Sequence, residues 1–368
     1  MSYNSDHEKY GDFFDRYSPN KRREPDRDRH HNRKKRKKRR LRPWVKALLC
    51  IIALVLVIIL ISTSVSRCSD QPTDKGTSSV TASSTLSSPA VNAPVQQKAQ
   101  FPKTATYTKT LGGEIESPYA ILVDTSDNTI LARRRADDII YPASMTKAVT
   151  LLVAAEHIKD ITATFKMTSE IIDPLYKRDL TLAGFGPGEE VRLIDMLYGM
   201  TLNSGAEAAV GIATHVAGSE EAFVKLMNDK AKELGLKNTH FTNTSGLHDK
   251  NHYTTCTEMA ILMNEVIKND FCREIISTEY YTVPANSYHE ELKFHSGMFQ
   301  KMYGTEPEVA TVKGGKTGFT AQSLFCLVSY AETKDGRKII CVTAKGDGKY
   351  SPIYDCIKLY KEYTHPKK

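Results

Sequence analysis

The chain has 368 residues and a formal net charge of +8. Residues 1–43 hold sixteen Lys or Arg and seven Asp or Glu, so the remaining 35 basic and 36 acidic residues nearly balance. A neutral body lacks the electrostatic footprint of a nucleic-acid binder, and seven cysteines without a CxxC pair argue against a zinc site.

The basic residues gather in an unbroken run from Arg33 to Arg40, which alone would fit a nucleic-acid patch or a nuclear-import signal. The adjoining segment decides otherwise. Every residue from Ala47 to Ile61 is apolar, and Ser62 to Ser66 add only small polar groups and Val65. About twenty uncharged residues at ~1.5 Å rise each cross a bilayer core. Flanking Lys and Arg hold the preceding end in the cytoplasm, with Trp44 at the interface. A cleaved signal peptide fits less well, because the n-region would be very long and no small-x-small site comes after it; cleavage past Ser62 stays open. The composition thus predicts a disordered cytoplasmic tail over 1–43, a single-pass signal anchor over 44–66 and a Ser/Thr/Pro-rich extracytoplasmic linker over 67–105. Such a linker has a root-mean-square reach of roughly 30–35 Å, and up to ~120 Å when extended.

The body, 106–368, reads as mixed helix and strand. Tyr119–Val123 and Thr129–Ala132 flank a polar stretch and predict a hairpin. After Tyr141-Pro142-Ala143 the chain turns into a helix close to Ser144, with apolar residues from Ala148 to Ala155. Leu193, Met196, Leu197 and Met200 recur with helical period, and Ser219 caps a second helix carrying Phe223, Leu226 and Met227 that stops near Gly235. Leu324–Tyr330 and Lys338–Thr343 flank Asp335-Gly336, a strong turn signal, and a last helix runs from about Ser351 to Tyr363. Cys326 and Cys341 lie in apolar runs and read as core residues. Cys256 and Cys272 read either as buried thiols or as a pair in an oxidising exterior. His248 and His252 have an i, i+4 spacing but no helical context and no third ligand, which favours hydrogen-bonding roles over a metal.

Three short motifs carry the chemistry: Ser144-Met145-Thr146-Lys147, Ser204-Gly205-Ala206 and Lys316-Thr317-Gly318. A serine one helical turn before a lysine faces the same side, at a helix N-terminus that favours developing negative charge. The amine serves as a base near neutral pH only if its pKa falls about three units, on the order of 4 kcal/mol of bias against the cation. The dipole supplies at most ~1–2 kcal/mol of this; burial and the second lysine, Lys316, are expected to supply the rest. A second hydroxyl and a second lysine from distant elements complete an acyl-transfer site that needs neither metal nor cofactor.

With these motifs in their longer settings, the chain resembles the low-molecular-weight penicillin-binding proteins, the serine D-alanyl-D-alanine carboxypeptidases. The resemblance covers about residues 106–365 and includes Tyr-Pro-Ala-Ser-Met-Thr-Lys (141–147), Ser-Gly-Ala-Glu-Ala-Ala (204–209), Ser-Gly-Leu-His-Asp (245–249) and Lys-Gly-Gly-Lys-Thr-Gly-Phe-Thr (313–320). It implies an α+β, β-lactamase/transpeptidase-like fold: an antiparallel sheet flanked by helices plus a mostly helical subdomain. It also implies roles. Ser144 attacks the bond between the last two D-alanines of a peptidoglycan stem peptide, Lys147 takes its proton, and Ser204 relays a proton to the leaving amine. Lys316 and Thr317, with Gly318 and Phe319 beside them, hold the substrate; the N–H groups of Ser144 and Phe319 bind the oxyanion. A β-lactam is expected to acylate Ser144, on a bacterial membrane with the catalytic domain outside.

This sequence departs from the family at two places. Position 206 is Ala where the family's second motif ends in Asn, which removes one substrate contact, a loss of ~1–3 kcal/mol. The family's C-terminal β-domain and amphipathic anchor have no match, so the N-terminal span is expected to do the anchoring. Two other readings compete: a β-lactamase on the same fold, for which no Glu-x-x-Leu-Asn element is found, and a non-catalytic penicillin- or wall-binding module.

Overall fold

The computed structural model describes residues 99–305 and 307–364. The expected tail, membrane span and nearly all of the linker, with Cys50 and Cys68, lie outside the described residues, as do 365–368. No helix among the described residues is long and apolar enough to cross a membrane.

The strands in chain order are β1 (Lys103–Thr110), β2 (Tyr119–Asp124), β3 (Thr129–Arg134), β4 (Ile139–Ile140), β5 (Thr164–Lys166), β6 (Glu190–Arg192), β7 (Thr254–Thr255), β8 (Tyr280–Val283), β9 (Leu292–His295), β10 (Ala310–Thr320), β11 (Leu324–Thr333) and β12 (Lys338–Gly346). A short 3-10 turn, Ala143–Met145, leads into the first helix. The helices are α1 (Thr146–His157), α2 (Ser169–Lys177), α3 (Leu193–Leu202), α4 (Ala206–Ala217), α5 (Glu220–Glu233), α6 (Cys256–Lys268), α7 (Asp270–Ser277), α8 (Phe299–Met302) and α9 (Ser351–Tyr363).

Six strands pair in the order β1-β3-β2-β12-β11-β10. Every residue of β2 is buried, because side chains alternate between two apolar layers. Ile121 and Val123 enter the larger core with Val149 of α1, Met196 of α3 and Met259 of α6. Ala120 and Leu122 enter the opposite one with Ile353, Cys356 and Tyr360 of α9. The helical layer thus stands on one face of the sheet, and the last helix covers the other.

The expected hairpins form, β2 with β3 and β11 with β12, both antiparallel. The second turns at Gly336, whose φ of +82° suits glycine. In α3, Leu193, Met196, Leu197 and Met200 are all buried. The Ser219 side chain accepts from Ala222 N–H at the start of α5. Cys256, Cys272, Cys326, Cys341 and Cys356 are free and buried, so Cys256 and Cys272 do not form a pair.

One strand departs from the implied antiparallel sheet: β1 lies parallel to β3. It begins at Lys103, just ahead of the boundary that composition places at 106. Both differences have one cause. Lys-Thr-Ala-Thr-Tyr-Thr-Lys-Thr has no buried position and pairs through its backbone along the sheet's edge, so no hydrophobic alternation marks it off from the linker. The strand at the other edge, β10, carries the third motif, and the 3-10 turn packs against it.

Candidate active site

Ser144 sits in the 3-10 turn and Lys147 at the second position of α1, one turn on. The Lys147 Nζ lies 3.1 Å from the Ser144 Oγ and donates to the Ser245 carbonyl at 2.7 Å. Lys147 is 2% exposed. Burial brings its pKa from 10.5 to about 7, while the carboxylates of Glu207 and Glu220 pull the other way. Burial first, then the charges of Lys147 and Lys301, hold Lys316 well below the usual lysine range, so the two motif lysines repel each other. A neutral amine has one lone pair; with one N–H given to Ser245, that pair can accept the Ser144 proton.

One cleft of about 380 Å³ is lined by Ser144, Ser204, Lys316, Thr317, Gly318 and Phe319. Ser204 comes after the end of α3 in the left-handed region, φ +63°, a costly position for a residue with a Cβ and one that recurs at functional sites. Gly205 after it is pressed against Ala183, whose Cβ would be 2.6 Å from any Cβ at 205. Ala206 N–H donates to the Thr181 carbonyl, and the buried Glu207 carboxylate accepts from Ala183 and Gly184 N–H groups at 2.6 and 2.9 Å. Burial raises the Glu207 pKa. The second motif is thereby tied to the chain over 181–184. Asn203, the residue directly after α3, does line the cleft, with its amide donating to the Leu182 carbonyl at 3.2 Å.

The third motif lies within β10, on an edge strand, where alternate N–H groups point away from β11. Gly318 is required by close approach: a Cβ there would be 2.9 Å from the Ser144 nitrogen and 3.0 Å from the Pro142 oxygen. This contact sets the Ser144 N–H, a first-turn donor without an intrahelical acceptor, beside the strand bearing Phe319. The Phe319 ring is 55% exposed and stacks on Phe325 at 4.4 Å.

The loop over 242–252, in which sequence reasoning reads only a matching stretch at 245–249 and two hydrogen-bonding histidines, clamps this turn. Gly246 packs on Ala143, and Asn243 Oδ1 accepts from the Gly246 and Leu247 N–H groups. Thr150 Oγ1 donates to the Thr244 carbonyl at 2.7 Å. His252 Nδ1 accepts from Thr242 N–H, so its proton is on Nε2 and donates to Thr146 Oγ1 at 2.8 Å. His248 stacks edge-on against Tyr141. Burial lowers the His252 pKa from 6.5 to about 4. The unfolded chain therefore binds the extra proton first, and stability is lost as pH falls from about 6.5 toward 4, on the order of 3 kcal/mol. Urea unfolding at pH 7 and pH 4.5 should show a smaller loss in His252→Gln than in the wild type.

Residues 103–347 match the D-alanyl-D-alanine carboxypeptidase family model. The chain belongs to that family. It is 32% identical over 240 residues to D-alanyl-D-alanine carboxypeptidase DacF of Bacillus subtilis, covering 62% of this chain and 57% of the relative. Similarity to DacA of Escherichia coli is 30% over 241 residues, 62% and 56% of the two chains. The chain thus spans a little over half the length of these curated relatives. Among solved structures, penicillin-binding protein 5 of Haemophilus influenzae superposes with a TM-score of 0.60 at 26% identity, over 68% of this chain and 71% of that one. The Streptomyces K15 DD-transpeptidase shares the fold, with a TM-score of 0.61 at 23% identity over 68% and 98%. Family membership accounts for the sheet, the helical layer and the ordered set of motifs at one cleft.

Proposed function

We propose that this protein is a serine D-alanyl-D-alanine carboxypeptidase that removes the terminal D-alanine from peptidoglycan stem peptides through an acyl-enzyme on Ser144. The observation that carries the reading is the buried Lys147 amine 3.1 Å from the hydroxyl of Ser144, which lines one cleft with Ser204 and Lys316. In acylation the Ser144 proton passes to Lys147 as the oxygen bonds to the scissile carbonyl carbon. The oxyanion forms against the N–H groups of Ser144 and Phe319. Its collapse breaks the C–N bond, and Ser204 relays the proton to the departing D-alanine amine. Water then attacks the ester, giving its proton to Lys147, and Ser144 leaves as the hydroxyl. Lys316 and Thr317 receive the terminal carboxylate, which favours a free chain end over an internal bond.

A charged tail over 1–43, an apolar span over 44–66 and a polar linker over 67–105 support tethering to a bacterial membrane, with the catalytic domain outside. Carbonate-washed membranes containing the protein should release D-alanine from diacetyl-L-Lys-D-Ala-D-Ala, and Ser144→Ala should abolish that release. Labelling by fluorescent penicillin with no D-alanine freed would instead mark a binding module, and rapid nitrocefin turnover a β-lactamase.

A further inference from the structure

The cleft has a wall that none of the three motifs supplies. Between α2 and β6 the chain over 178–189 forms no helix or strand, and Thr181 within it lines the cleft with Ser204. An irregular segment keeps such a place only when other parts of the fold hold it. On the motif side the holding groups are the Ala206 N–H and the Glu207 carboxylate. The far end, at Glu189, is held by the β8–β9 hairpin, which carries no catalytic motif.

The Glu189 side chain is 4% exposed and its carboxylate takes three donors. Oε2 accepts from the Gly186 N–H at 2.8 Å, within the segment. Oε1 accepts from Asn286 Nδ2 and His289 Nε2, each at 2.8 Å, and both residues belong to the hairpin's tip. Tyr288 adds its hydroxyl to the Gly188 carbonyl at 3.0 Å. His289 has a second acceptor. Its Nδ1 lies 2.6 Å from the Glu290 carbonyl oxygen, while its ring stands edge-on to Phe185. The Asn286 amide, 3.1 Å from Nε2, is a fellow donor to the shared Glu189 oxygen. A neutral imidazole has one N–H, so either tautomer would press a lone pair against an oxygen. The ring with protons on both nitrogens satisfies both and is the countercharge of Glu189.

We infer that Glu189 and His289 are positioning residues, a charged latch by which the β8–β9 hairpin holds the cleft wall over 181–186 and, through it, Ser204. The transmission is short. Ser204 stands in the left-handed region, and its neighbours Asn203 and Ala206 are hydrogen-bonded to the Leu182 and Thr181 carbonyls. When the latch opens, those carbonyls move and the Ser204 hydroxyl leaves its place in the proton relay. The consequence at Ser204 rests on the carboxypeptidase reading; the latch itself does not.

The test compares wild type, His289→Ala, His289→Gln, Glu189→Gln and the double variant His289→Ala/Glu189→Gln, as full chains. Amide hydrogen exchange over 178–189 should quicken in His289→Ala, while β2 and β12 stay protected. Its kcat for D-alanine release from diacetyl-L-Lys-D-Ala-D-Ala should fall roughly ten- to a hundred-fold, the cost of displacing a catalytic group by about 1 Å, with KM within about threefold. His289→Gln keeps a donor for Glu189 and should recover part of the loss. Two residues acting as one unit make the double variant no slower than the worse single. Unchanged exchange over 178–189 in His289→Ala, or a double whose loss is the product of the two singles, overturns the latch. Quicker exchange with kcat unchanged would overturn the positioning role. Should the wild type free no D-alanine at all, the carboxypeptidase reading fails by itself. The latch is then judged by exchange and by the rate of acylation with fluorescent penicillin. A fall in His289→Ala that His289→Gln restores in part supports it, and an unchanged rate overturns it.

Discussion

Lys147→Gln should leave a folded protein in which acylation of Ser144 slows by roughly a hundred- to ten-thousand-fold, the range for loss of a positioned general base. Glutamine keeps a donor for the Ser245 carbonyl, so the clamp around the turn survives. It has no lone pair able to take a proton from the Ser144 hydroxyl 3.1 Å away. The wild type should also show the sign of the shift. Below about 7 the Lys147 amine is protonated and cannot accept, so kcat/KM should fall tenfold per pH unit there and level off above. Rates of labelling by fluorescent penicillin between pH 5 and 8 measure both effects. Labelling of Lys147→Gln within tenfold of the wild type would assign the base elsewhere.

Among glycines of the described residues, Gly246→Ala should be the most damaging substitution. Gly246 has a φ of +82°, which costs a residue with a Cβ roughly 1–2 kcal/mol. The new Cβ would fall 1.8 Å from the Ala143 carbonyl oxygen, a backbone atom fixed by the turn that carries Ser144. Relieving that overlap adds about 1–3 kcal/mol. A total near 2–5 kcal/mol corresponds to a Tm lower by roughly 6–15 °C for a domain of this size. Movement of the loop also takes the Ser245 carbonyl from Lys147, so acylation should fall with stability. A thermal melt together with a penicillin-labelling rate reads both; an unchanged Tm would mean that the loop and turn do not press together as described.

What the sequence makes legible is what its local spacing controls. Ser144 and Lys147 meet because three residues make one helical turn, and the capping serine and buried stripes of α3 and α5 obey the same period. The β11–β12 hairpin is announced by Asp335-Gly336. β1 escapes notice because its Thr and Lys residues bury nothing. The rest of the site is built by contacts across long stretches of chain. The carbonyl that orients Lys147 comes from a residue 98 positions away, and the loop pinned by Glu207 lies 23 and 24 positions before it. The burial that dominates the Lys147 shift likewise depends on packing that no spacing reveals. Lys301 belongs to no motif; only the fold brings it to the cleft that Thr317 lines.

The most direct measurement is the ionisation of Lys147 itself, tracked by NMR of the protein labelled with carbon-13 at lysine Cε and assigned by loss of the signal in Lys147→Gln. A midpoint near pH 7 is expected for the free enzyme. A Lys147 that stays cationic to pH 9 or beyond would contradict its role as the base that draws the proton from Ser144.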